Sequence, residues 1–239
     1  MDYKYTTTFE CPISSCEISE ASLISEASLD NLAPLVPQDI DYKSNVDLLG
    51  VAFNAAVVNK FNRNGDGLDT ATAKTYTPNF VHKPTNIEHD KEKVVGHIVD
   101  AGFSSFDSSE LLTPEEVDKE KGPFNISLGA VIYKSVNKNF TNLVKKSLDP
   151  KDEAYQKVSA SWEVGCSEYV LAVGSDYLKD AKIISNPDKI EEMKGFLKSY
   201  GGTGKTDEGE NIYRLIVGDI YPLGIAYTLN PAAEVKGLY

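Results

Sequence analysis

Short β-branched runs closed by glycine or proline recur along this chain without regular alternation with helices. Val94-Val95-Gly96-His97-Ile98-Val99, Phe124 to Tyr133, Lys157 to Glu163, Tyr169 to Val173 and Ile212 to Thr228 are of this kind. Segments this short cannot bury an apolar face alone, so they are expected to share one curved sheet or barrel. Helix signals fall between them. Thr113-Pro114-Glu115-Glu116 combines a cap, a proline at the first helical position and a glutamate three residues after the cap. Lys134 to Leu148 spaces Val136, Phe140, Leu143, Val144 and Ser147 as an amphipathic helix does, and stops before Asp149-Pro150. Pro187 to Tyr200 carries Ile190, Met193, Phe196 and Leu197 on one face and ends at Gly201. The expected class is α+β, with two or three helices interspersed among strands and no βαβ repeat.

With 41% hydrophobic residues in a chain of 239, a sizeable core is available to this fold. The formal net charge of -12 argues against nucleic acid as a partner, because that affinity comes largely from lysines and arginines that displace counterions. Cys11, Cys16 and Cys166 form no paired framework, and the chain's 3 histidines make no convincing zinc set, so a reducing cytoplasm is the expected compartment. The start Met1-Asp2-Tyr3-Lys4 lacks a basic, then apolar, leader, and no segment approaches eighteen apolar residues; neither standard export nor a membrane span is expected. Residues 1–45 are rich in Ser, Glu and Asp, with the near-repeat Ser19-Glu20-Ala21-Ser22-Leu23 and Ser25-Glu26-Ala27-Ser28-Leu29, and read as a flexible acidic arm. Residues 46–239 read as the globular domain.

Two motifs resemble ligand loops. Gly201-Gly202-Thr203-Gly204-Lys205-Thr206 evokes a phosphate loop, but Ser199 stands where the first glycine belongs, and a helix precedes the run where a strand should. A solvated glycine-rich loop is the better account. Asn62-x-Asn64-x-Asp66-Gly67 imitates the opening of a calcium loop, yet Ala73 occupies the place of the closing bidentate glutamate. A plain turn is expected there.

Chemistry concentrates in two other places. Lys157-Val158-Ser159-Ala160-Ser161-Trp162-Glu163-Val164 alternates so that Ser159, Ser161 and Glu163 share one strand face and Ala160, Trp162 and Val164 the other. Periodicity alone describes a half-exposed edge strand. The second place is His89, in Asn86-Ile87-Glu88-His89-Asp90. A hydrolase needs a hydroxyl within hydrogen-bond reach of an imidazole, with a third group holding the ring.

Together these residues resemble the prohead maturation proteases of tailed phages, which are related in fold to the herpesvirus assemblins. The resemblance spans about residues 55 to 235 and rests on four places taken in order. Asn62-Arg63-Asn64-Gly65-Asp66 is similar to the family's Asn-rich turn; Lys83-Pro84, His89-Asp90 and Val94-Val95-Gly96 are similar to its histidine region. Ser161-Trp162-Glu163 is similar to the Ser-Met-Glu strand that carries the nucleophile, and Gly224-Ile225-Ala226 through Asn230-Pro231-Ala232-Ala233 resembles the late strand ending in Pro-Ala. One departure concerns the acidic residue that many relatives carry before Pro-Ala, where this chain reads Pro222-Leu223-Gly224.

The resemblance implies a mostly antiparallel β-barrel surrounded by helices, assemblin-like, and a serine endopeptidase working through an acyl-enzyme without metal or organic cofactor. His89 would be the general base and Ser161 the nucleophile, with Ser159 the alternative nucleophile. Asp219 would orient the histidine, with Glu163 the alternative. The implied substrates are phage scaffold and major capsid proteins, and the protease's own terminus, cleaved during capsid maturation inside the assembling prohead in the host cytoplasm. Self-association in the prohead core would be compatible; no nucleic acid or membrane is implied. The rival from another class is a noncatalytic core or scaffold component that retains the protease fold.

Overall fold

The computed structural model describes residues 4–12, 14–15, 31–37, 40–41, 44–155 and 157–229. The near-repeat at 19–29, Cys16 and the Asn230-Pro231-Ala232-Ala233 segment lie outside the described residues.

Among the described residues, eleven strands form one sheet: β1 (Tyr5–Pro12), β2 (Ser14–Ser15), β3 (Leu48–Val58), β4 (Asp66–Leu68), β5 (Pro84–Ile87), β6 (Asp90–Ser105), β7 (Leu111–Leu112), β8 (Phe124–Tyr133), β9 (Ser159–Gly174), β10 (Lys182–Ile184) and β11 (Asn211–Thr228). The hydrogen-bonded order is β1-β9-β11-β5-β6-β8-β3-β2, with β10 on β9, β4 on β11 and β7 on β6. All five runs singled out in the sequence enter this sheet.

The expected α+β barrel surrounded by helices does not form. Strands make up 46% of the structure and helices 24%, and the sheet is open and mixed rather than closed. Its two ends, β1 and β2, are consecutive along the chain and a single residue apart. Among the described residues no ladder joins these ends. The mixing comes from β11, which runs parallel to both β4 and β5, whereas the other ladders are antiparallel. The helices are short: α1 (Thr70–Tyr76), α2 (Pro114–Lys119), α3 (Lys138–Leu148) and α4 (Pro187–Met193). The Pro187 to Tyr200 pattern yields only α4 before two 3-10 turns, which end at Gly201 with φ 82°.

Tyr5–Pro12, expected within a flexible arm, is instead a strand that pairs with β9 from Tyr5↔Cys166 to Pro12↔Ser159. A buried ion pair fastens it. Arg214 on β11 donates through Nε and Nη2 to both Asp66 oxygens, at 2.6 and 3.1 Å, and through Nη2 to the Thr6 carbonyl at 3.0 Å; Thr7 Oγ1 also donates to Asp66. Asp66, the one carboxylate in the Asn62-x-Asn64-x-Asp66-Gly67 run, is therefore an internal counterion.

The apolar side of β9 faces the main core. Trp162 is fully buried, stacked on Phe9 with ring centroids 5.0 Å apart and met edge-on by Phe80 at 4.5 Å. Phe140 of α3 and Phe53 of β3 pack against Tyr227 of β11 in the same core. Gly96 explains part of the Val-Val-Gly run, since a Cβ there would lie 1.9 Å from the Val131 carbonyl oxygen, so only glycine lets β6 and β8 approach this closely.

Candidate active site

Alternation along β9 acts as the sequence implied: Ala160, Trp162 and Val164 enter the core, leaving Ser159, Ser161 and Glu163 on the opposite face. Its neighbour β11 runs antiparallel to it with Thr228 across from Ser159, Ala226 across from Ser161 and Gly224 across from Glu163. The two positions beside Ser161 and Glu163 are therefore small. On the far side of β11, β5 pairs in parallel, with Asn86 beside Ala226 and Ile87 beside Tyr227.

His89 arrives from that far side. Ile87 pairs with Asp90 across the β5–β6 hairpin, so Glu88 and His89 form its two-residue loop. Ala226 and Gly224 present almost no side chain above β11, which leaves room for the imidazole to cross it. Gly224 has φ 137° at a register shift between Pro222 and Gly224, and a Cβ there would meet the Pro84 carbonyl at 3.2 Å. His89 Nε2 lies 2.9 Å from Ser161 Oγ. His89 Nδ1 lies 3.9 Å from Glu163 Oε2.

The order along this array is carboxylate, imidazole, hydroxyl. With the proton on Nδ1, facing Glu163, the bare Nε2 accepts the Ser161 hydroxyl proton. Glu163 is beyond hydrogen-bond range here, so it acts on the ring as a nearby charge. Ser161 is fully buried, whereas the His89 and Glu163 side chains are each 36% exposed. The array thus meets solvent on its imidazole–carboxylate side.

Of the sequence candidates, His89, Ser161 and Glu163 come together and Asp219 does not. Asp219 accepts from the Tyr76 hydroxyl at 3.2 Å, and its N–H donates to Ser167 Oγ at 2.9 Å. It stands seven positions before Ala226 on β11, which at about 3.3 Å per residue is roughly 20 Å from the site. Ser159 sits two residues from Ser161, opposite Thr228, and the imidazole contacts Ser161. Asp90 is taken by Lys93 at 2.7 Å, and the Lys93 ammonium together with the Glu92 N–H holds its carboxyl below the ordinary range. His97 is separate, with Nδ1 2.8 Å from the Tyr133 hydroxyl; burial, aided by the charge of His82, holds its pKa below the usual imidazole value.

The glycine-rich loop has no phosphate-cradle geometry. Gly202, Gly204 and Thr206 spend their N–H groups on the carbonyls of Leu197, Phe196 and Glu210, and the loop leads into β11 rather than a helix. Among the described residues, no group of three or more His, Cys, Asp or Glu side chains is placed to hold a metal ion, and no helix is long and apolar enough to cross a membrane. Burial pushes the Cys166 thiol up to about 11, far from the range of a reactive cysteine.

Sequence reasoning passed over Glu88 and the small pair Gly224 and Ala226 as parts of the site. Glu88-His89 carries no Asn or Gly to mark a tight hairpin, and the role of the small residues depends on a register that only the folded sheet defines. Compared with protein-family models, curated proteins and solved structures, the chain shows no match.

Proposed function

We propose that this protein is a serine endopeptidase in which Ser161 is the nucleophile, His89 the general base and Glu163 the carboxylate whose nearby charge stabilises the imidazolium. The observation that carries the reading is the 2.9 Å contact between His89 Nε2 and Ser161 Oγ, two residues 72 positions apart in the chain. A structural histidine has no need of a serine from the same strand face as a carboxylate that approaches its other nitrogen.

In this reading, Ser161 Oγ attacks the peptide carbonyl as its proton passes to His89 Nε2, and Glu163 offsets the imidazolium charge that forms. The tetrahedral intermediate collapses as Nε2 returns the proton to the departing amine. Water then enters, loses a proton to the same nitrogen and hydrolyses the ester, restoring the free serine. Because Ser161 is fully buried, a substrate must part the groups that cover it. The motif resemblance supplies the biological setting: maturation of a tailed-phage prohead, with scaffold and capsid proteins as substrates.

The complete burial of Ser161 also favours one rival, a noncatalytic prohead component. Mass spectrometry after coexpression with capsid and scaffold proteins separates the two. The protease reading expects discrete cleavage products with wild type and none with Ser161→Ala, whereas uncleaved partners in both would overturn it.

A further inference from the structure

The turn that carries His89 holds a conformation its own residues disfavour. Glu88 has φ 52° and His89 φ 57°, both in the left-handed region, in a two-residue hairpin loop where Asn-Gly would be at ease. Non-glycine residues persist there only when their surroundings hold them. The hold on this turn comes from Glu88. Its Oε1 accepts the Leu229 N–H at 2.8 Å, its Oε2 accepts the Thr228 hydroxyl at 2.8 Å, and its own N–H donates to the Tyr227 carbonyl at 3.0 Å. All three bonds run to the end of β11, the strand whose other flank places Thr228 opposite Ser159 and Ala226 opposite Ser161.

From this arrangement we infer that Glu88 is a positioning residue: its carboxylate clasps the β5–β6 turn onto β11 and so sets the His89 imidazole against Ser161. The inference rests on reading Ser161 and His89 as nucleophile and base. The clasp explains why an acidic residue occupies a loop position that glycine would fill with less strain. It also joins base and nucleophile through one intervening strand, so that each is located against the same backbone.

The test uses the full chain and a fluorophosphonate probe, which is attacked by an activated serine. Glu88→Ala removes the clasp. Glu88→Gly removes it while relieving the left-handed backbone, and Glu88→Gln keeps the side-chain length and one carbonyl acceptor. The maximal rate of Ser161 phosphonylation should fall by about 10- to 100-fold in both Glu88→Ala and Glu88→Gly, as expected for a displaced base, with little change in the probe's apparent affinity. Glu88→Gln should recover most of the rate. In protein labelled with 15N-histidine, the His89 ring resonances should move in Glu88→Gly while those of His82 and His97 stay in place, which also shows that the variant is folded. If wild type labels at Ser161 and folded Glu88→Gly labels at the same rate with unmoved His89 resonances, the clasp has no positioning role and the inference is overturned. Absence of Ser161 labelling in wild type would instead remove the protease reading on which it stands, and the inference with it.

Discussion

Replacing Glu163 by glutamine keeps the side chain's shape and removes only its charge. At 3.9 Å, an imidazolium and a carboxylate attract by roughly 1 kcal/mol in bulk water and by roughly 4 kcal/mol at an effective dielectric near 20. Both side chains are 36% exposed, so solvent screening draws the interaction towards the lower part of that range, about 1.5–2.5 kcal/mol. On the proposed mechanism, most of it is realised only when His89 becomes charged in the transition state. The expected result is therefore a loss of roughly 10- to 70-fold in the rate of Ser161 acylation, with substrate affinity nearly unchanged. Phosphonylation kinetics and turnover of a cleaved peptide both read this directly. Asp219→Asn serves as the control and should leave the rate unaltered, since Asp219 is bound to Tyr76 and Ser167. A Glu163→Gln enzyme within twofold of wild type, or a loss that appears in Asp219→Asn instead, would refute the assignment.

Ser161→Ala should abolish cleavage and probe labelling with the fold retained by circular dichroism, whereas Ser159→Ala should keep most activity; the opposite pattern would move the nucleophile by two residues. Asp66→Asn should cost about 3–5 kcal/mol in urea unfolding, because it leaves the Arg214 charge buried without its partner; a loss below about 1 kcal/mol would show the pair to be dispensable. His97 has a folded-state pKa held below its ordinary value by burial and then by His82, so the unfolded chain takes up its proton first as pH falls. Its contribution to stability is full above the unfolded pKa and declines as pH falls towards the folded one. His97→Gln should accordingly show a smaller drop in Tm between pH 7 and pH 5.5, values chosen to bracket roughly the ordinary histidine pKa, and an unchanged drop would count against the argument. Cys166, with its thiol raised to about 11, should resist iodoacetamide in the native protein and react after denaturation, as read by peptide mapping; rapid native modification would contradict its burial.

What could be read from the chain follows from how local each signal is. The Thr113 to Glu116 signal produces a full capping box on α2, because all of its groups lie within one turn. Strand alternation sorted Ser161 and Glu163 from Trp162 correctly, because side-chain direction in a strand depends only on parity. The separate runs near Ser161 and Tyr169 are one strand, Ser159–Gly174. Asp219 was favoured over Glu163 on sequence proximity to the Pro-Ala region, but strand position, unlike sequence proximity, fixes reach: Glu163 shares the serine's face and Asp219 does not share its end of β11. The barrel expectation failed because closure depends on whether the two ends of the finished sheet pair, which no local pattern within a strand encodes. Glu88 was illegible because its partners, Thr228 and Leu229, stand 140 and 141 positions away.

The placement of β11 between His89 and Ser161 has a consequence during synthesis. β1, β4 and β5 emerge from the ribosome long before β9 and β11, the strands with which they pair. Until β11 is made, the histidine hairpin has no backbone to lie on, and β9 lacks its longest neighbour. Contacts of such large sequence separation form late and slowly. On the proposed reading, a nascent chain of this design carries His89, Ser161 and Glu163 well before it can align them, so hydrolytic competence would arrive with β11 and spare the ribosome-bound polypeptide from its own chemistry.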